Sequence, residues 1–164
     1  MARASEDTLV IQVARRPNSR VREAVILVNG VPLLDSVREI ERCFVEDEAS
    51  ARAAEGEAKG DVRFEPGDYM YPVPPVDTGE FFGRVESYFA LAKDDPRFGK
   101  TVLLGCRCGE PGCWPLLARI THESDAVVWS DFEQFHRDWS YPLGPFRFSA
   151  SDYWRALGAA TGGR

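Results

Sequence analysis

With 164 residues, 44% of them apolar and 28% charged, the chain has the composition of a single globular domain that buries a core without covalent staples; this excludes intrinsic disorder for most of its length. A formal charge of −6 argues against general nucleic-acid binding, which depends on neutralising phosphates with Lys and Arg; Arg15, Arg16, Arg20 and Arg22 make only a local basic cluster, opposed by an acidic stretch from Glu46 to Asp61. The apolar run Leu9 to Val13 is too short for a signal-peptide core or a membrane span, so we expect a cytoplasmic protein without a membrane partner.

Residues 8–14 read as a strand, 15–22 as a turn around Pro17-Asn18-Ser19, and 23–28 as the returning strand. Asn29-Gly30 is a tight-turn signal before a short return at 31–34. A helix over 35–46, capped by Asp35 or Ser36, carries Val37, Ile40, Phe44 and Val45 on one face. Residues 47–61 are Ala-, Glu- and Gly-rich without an apolar stripe, which predicts a mobile acidic loop or a helical extension with no buried face. The prolines of 64–75 allow neither a long helix nor a central strand, and 62–79 reads as an aromatic-studded loop with Tyr69 and Tyr71.

Phe81, Val85, Tyr88, Phe89 and Ala92 recur at helical spacing, predicting a helix over 80–93 stopped by Asp94-Asp95-Pro96. From Lys100 the period becomes two: strands at 101–108, 113–122, 126–132 and 145–149, then a helix at 150–159 capped by Ser149 or Ser151, with Tyr153, Trp154 and Leu157 inward. Residues 160–164 read as a frayed tail. The expectation is one α+β domain over 1–164: an antiparallel sheet with about three helices packed mainly on one face.

Chemistry concentrates in Cys106-Arg107-Cys108-Gly109-Glu110-Pro111-Gly112-Cys113. If 109–112 is the turn, Cys108 faces Cys113 across the hairpin, and strand alternation adds Cys106 to the same face. Three sulfurs in one patch suit zinc, with His136 as a fourth ligand; they equally suit a reversible disulfide or reactive thiol, or three reduced cysteines packed as small hydrophobes. Unbroken alternation places His122 on the opposite face, and Cys43 lies on the first helix. A second candidate surface is His136, Arg137, Asp138 and Trp139, where aromatics flank charges that would contact a protein or small-molecule partner, with Arg137 pairing Asp138 or Asp131 in the plainer reading. Phosphate-cradle, dinucleotide, nucleophile-elbow and zincin motifs do not occur.

The segments Leu104-Gly105-Cys106-Arg107-Cys108-Gly109, Gly112-Cys113-Trp114-Pro115-Leu116-Leu117, Trp129-Ser130-Asp131-Phe132, His136-Arg137, Trp139 and Leu143-Gly144-Pro145-Phe146 resemble a family of small actinobacterial proteins, over about 100–157, with a weaker echo at Asn29-Gly30-Val31-Pro32-Leu33-Leu34. The resemblance implies that these residues form one structural unit and carries no catalytic role to any position. Two functional readings follow from the residues. One is a non-enzymatic binding or interaction module with a cysteine-lined, zinc-binding hairpin. The other is a thiol-based enzyme or redox sensor using Cys106, Cys108 or Cys113 with His136.

Overall fold

The computed structural model describes residues 6–15, 22–56, 67, 69–70 and 79–160. Alternating apolar residues make β1 (Leu9–Arg15) and β2 (Arg22–Val28) an antiparallel pair whose inward row matches Leu9 to Val28, Ile11 to Ile26 and Val13 to Ala24. Asn29 and Gly30 take φ of 53° and 79°, the left-handed pair that a two-residue hairpin turn requires, and lead into β3 (Val31–Pro32).

Helix α1 (Leu33–Ala54) begins two residues before the expected Asp35 and has no side-chain cap: Pro32 occupies the N-cap position. It also runs on through most of the acidic segment. Ala, Glu and Arg are strong helix formers, and the Glu48–Arg52 pair at 3.1 Å supports the added turns until Gly56, at φ 91°, ends them. Residues 57–66 and 71–78 of the predicted acidic and proline-rich loops lie outside the described residues, as do 161–164 of the predicted tail.

A second antiparallel sheet has the order β4 (Tyr69–Met70), β5 (Thr101–Cys106), β6 (Leu116–His122), β7 (Ala126–Gln134), β8 (Phe146–Ser149). Helix α2 (Ala150–Ala160) follows directly, its Asp152 N–H donating to Ser149 Oγ at 3.1 Å as the sequence predicts. Tyr153 and Leu157 are fully buried, whereas Trp154 lies at the surface. One core joins both sheets and both helices, through Ile26, Leu33, Val37, Leu104, Leu116, Trp129, Phe148, Tyr153 and Leu157 among others. No helix among the described residues is long and apolar enough to cross a membrane.

The expected helix at 80–93 does not form, leaving two α-helices among the described residues rather than about three. Its backbone pairs with β5 instead: Phe82 N–H donates to Val102 O, Val102 N–H to Gly83 O and Val85 N–H to Lys100 O, at 2.9 to 3.0 Å. Gly83 at φ 89° breaks any helical path, and only a 3-10 turn, Val85–Ser87, remains. The apolar residues that suggested a helix are nevertheless used. Phe81 enters the main core, while Val85, with Phe82 and Phe89 packed beside it, joins Val102 and Leu117 in a second cluster.

Candidate metal centre in the thiol loop

The hairpin between β5 and β6 is wider than the sequence suggests. β5 ends at Cys106 and β6 starts at Leu116, so Cys108 and Cys113 sit in a nine-residue loop, 107–115, and do not oppose each other on a ladder. Two prolines and two glycines, Gly109 at φ 95°, give the loop its turns. Gly109 N–H donates to Cys106 O at 3.0 Å, Cys113 N–H to Glu110 O at 3.1 Å, and Gly112 N–H to the Glu110 carboxylate at 3.2 Å.

These turns do the gathering that strand alternation was expected to do. The Cys106, Cys108 and Cys113 sulfurs all lie within 4.8 Å of one another, the one such group of His, Cys, Asp or Glu among the described residues. The group could hold a metal. Tetrahedral zinc, with Zn–S near 2.3 Å, sets sulfurs ~3.8 Å apart, so a contraction of no more than about 1 Å would close the site. All three cysteines are reduced; Cys106 is half-buried and the other two exposed.

Backbone amides already point at two of the sulfurs. Cys108 N–H approaches Cys106 Sγ at 3.5 Å, and Glu110 N–H approaches the Cys108 sulfur, the same two-residue step repeated. The Glu110 amide, followed by the Cys106 thiol, holds the Cys108 thiol below its ordinary value. Burial, only partly opposed by the Cys108 amide, pushes the Cys106 thiol up to about 12. In the reduced, metal-free loop, Cys108 is therefore the first of this pair to ionise.

His136 is not one of the clustered ligand atoms. Its Nε2 lies 3.2 Å from Gly112 O, one residue from Cys113, and its ring stacks at 25° on Trp114 with centroids 6.2 Å apart. The second apolar cluster builds this neighbourhood: Phe135, just beyond β7, stacks on Phe89 at 3.6 Å, and Phe89 and Tyr88 pack against Gly112. Cys43 is exposed on α1, and His122, at the end of β6, stacks on Trp154 of α2. Neither joins the thiol group.

Arg137 reaches back to α1. Its Nε donates to Glu48 on α1 at 3.1 Å, and its guanidinium stands 4.8 Å above the Trp114 ring and 5.8 Å from that of Trp139. Trp139 in turn stacks on Phe44 of α1 at 5.5 Å and 8°. Asp138 is exposed. Phe135, Trp139 and Tyr141 are all half-buried, Trp139 against Phe44 and Tyr141 on Glu41 of α1, and Phe135 against Phe89, so the loop sets its charged groups over partly covered aromatics.

Sequence reasoning missed Glu41. It is fully buried on α1, where its Oε1 accepts from Tyr69 OH at 2.5 Å and Tyr141 OH at 2.6 Å, and its Oε2 from Gly67 N–H at 2.9 Å. Burial, then the Glu41 charge, push both phenols upward and keep them protonated donors. A separate groove of about 320 Å³ between β1 and α2, lined by Leu9, Ile11, Asp152, Arg155 and Ala156, includes none of the cysteines.

Fold and site together define an α+β domain with a three-thiol loop. No family model matches the chain, and neither the curated proteins nor the solved structures contain a match to it.

Proposed function

We propose that the protein is a non-enzymatic binding module that takes one zinc ion on Cys106, at the end of β5, and on Cys108 and Cys113 of the 107–115 loop. The observation that carries this reading is the convergence of three sulfurs within 4.8 Å on a loop whose amides are already aimed at two of them. Thiolates select soft or borderline cations, and amide donors to sulfur stabilise the deprotonated ligand that a metal needs. Binding would release the thiol protons and fix a loop otherwise tied by few hydrogen bonds. The neighbouring His136, Arg137, Asp138 and Trp139 then form the rim for a protein or small-molecule partner.

The alternative is a redox sensor, which the unequal thiols favour: an exposed, more acidic Cys108 beside Cys106 and Cys113. One sample separates the two. Untagged protein purified without chelator should contain about one zinc per chain, and Cys113→Ser should lose the metal and melt earlier. Metal-free protein with every thiol countable, in which Cys108 alkylates well ahead of Cys106 as pH rises, would move the assignment to the redox reading.

A further inference from the structure

The thiol loop supplies three ligands, and tetrahedral zinc takes four. We propose, on the metal reading above, that His136 is the fourth: its ring leaves the Gly112 carbonyl and closes the site when metal enters.

Position argues for it first. His136 Nε2 already meets the thiol loop at Gly112, the residue before Cys113, although β7 and not the hairpin carries it there. The main chain at this point is pinned. His136 N–H donates to Gln134 Oε1 at 2.5 Å, Phe135 N–H to Pro115 O at 3.2 Å and Arg137 N–H to Gln134 O at 3.2 Å. Gln134 is itself buried, so the anchor is firm. With its main chain pinned, His136 would approach the metal through its side-chain bonds, and the thiol loop would make the rest of the adjustment. The exposed ring is flanked by Trp114, stacked at 25°, and by Phe89 and Phe135 in edge-on contact, which keep it beside the loop.

The exchange is chemically balanced. Three thiols release their protons to solvent; neutral His136, whose Nε2–H bonds the Gly112 carbonyl, gives that proton to solvent and takes one up on Nδ1, so that the Nε2 lone pair is free and the hydrogen bond is replaced by a metal–nitrogen bond. The other candidates are placed elsewhere: His122 stacks on α2, and Cys43 belongs to α1. Glu110 is the nearest rival, but its carboxylate is held by the Gly112 amide. Because Trp114 loses its stacked neighbour and Arg137 follows His136 in the chain, metal occupancy would be transmitted to the proposed partner rim.

Cobalt(II), titrated anaerobically into the reduced full chain, tests this. Wild-type protein should bind one Co(II) with thiolate charge-transfer bands and strong tetrahedral visible bands, and Cys113→Ser should lose them. His136→Ala should keep the charge-transfer bands, shift the visible bands, and weaken binding by at least about 100-fold, the upper range for loss of a mere outer-shell partner. Nitrogen-15 spectra of the wild-type rings give a readout free of variants: of the two histidines, zinc should move His136 and leave His122 as an internal reference. A His136→Ala protein with unchanged affinity and spectrum, or a change appearing in Glu110→Gln instead, overturns the inference while the three-thiolate site stands. Failure of the wild-type protein to bind Co(II) removes both.

Discussion

Glu41 is the most consequential single side chain outside the thiol loop. This buried carboxylate, which pairs with no cation among the described residues, is tolerated because three donors, Gly67 N–H, Tyr69 OH and Tyr141 OH, replace its water. Glu41→Ala leaves two phenols and an amide without their acceptor, and we expect a loss of about 3 kcal/mol or more, read as a lower denaturant midpoint. Tyr141→Phe, which removes one donor of three, should cost about 1 to 2 kcal/mol in the same assay. Nothing in the sequence marks this residue. Glu41 stands in a helix full of Glu and Arg, where a solvent-facing position is the ordinary expectation, and its partners lie 28 and 100 positions away. The cysteines were legible for the opposite reason: their chemistry is local, and eight consecutive residues contain all three.

At the level of elements, side-chain periodicity correctly reports which residues are buried and fails to report what the backbone pairs with. Phe81 and Val85 are buried as their spacing implies, yet their segment lies along β5, because a Gly at 83 and an available edge outweigh a marginal helical pattern. The thiol loop repeats the lesson, since turn chemistry at 109–112 ends both strands earlier than alternation suggests. The turn that follows this segment makes its own test. Asp95 accepts from the Arg97 side chain at 2.9 and 2.8 Å and from the Arg97 N–H at 2.8 Å, and the Arg97 guanidinium holds its carboxyl down to about 2. A carboxyl depressed by folding stabilises the native state fully above its unfolded value near 4, and the benefit vanishes as pH falls through 2. Wild type should therefore melt above Asp95→Asn at pH 6, with the gap shrinking at pH 3 and closing only below pH 2. A gap independent of pH would show that the charge is not what holds the turn.

Across the whole molecule, Asp7 ties the N-terminal sheet to the second sheet through its backbone and its carboxylate. Its N–H donates to Arg147 O on β8, and its carboxylate accepts from Arg147 N–H and from Asn29 Nδ2, all at 2.7 Å. Asp7→Ala should lower stability by about 1 to 3 kcal/mol, and hydrogen exchange should quicken at Arg147 N–H more than at the centre of β6. Uniform quickening would assign Asp7 a general role instead of a seam between sheets. This joint was invisible in the sequence because Asp7 and Arg147 are 140 positions apart. That separation also sets an order of events on the ribosome. The apolar groove between β1 and α2 is shared by Leu9 and Ile11 from one end and Ala156 and Ala159 from the other. At roughly 5–20 residues per second, the interval between making its two walls is on the order of ten seconds. Throughout it the first hairpin can pair its strands and pack against α1, but Leu9 and Ile11 lack the wall that α2 supplies. Completion of the N-terminal sheet is thus a late step, timed by emergence of the last helix.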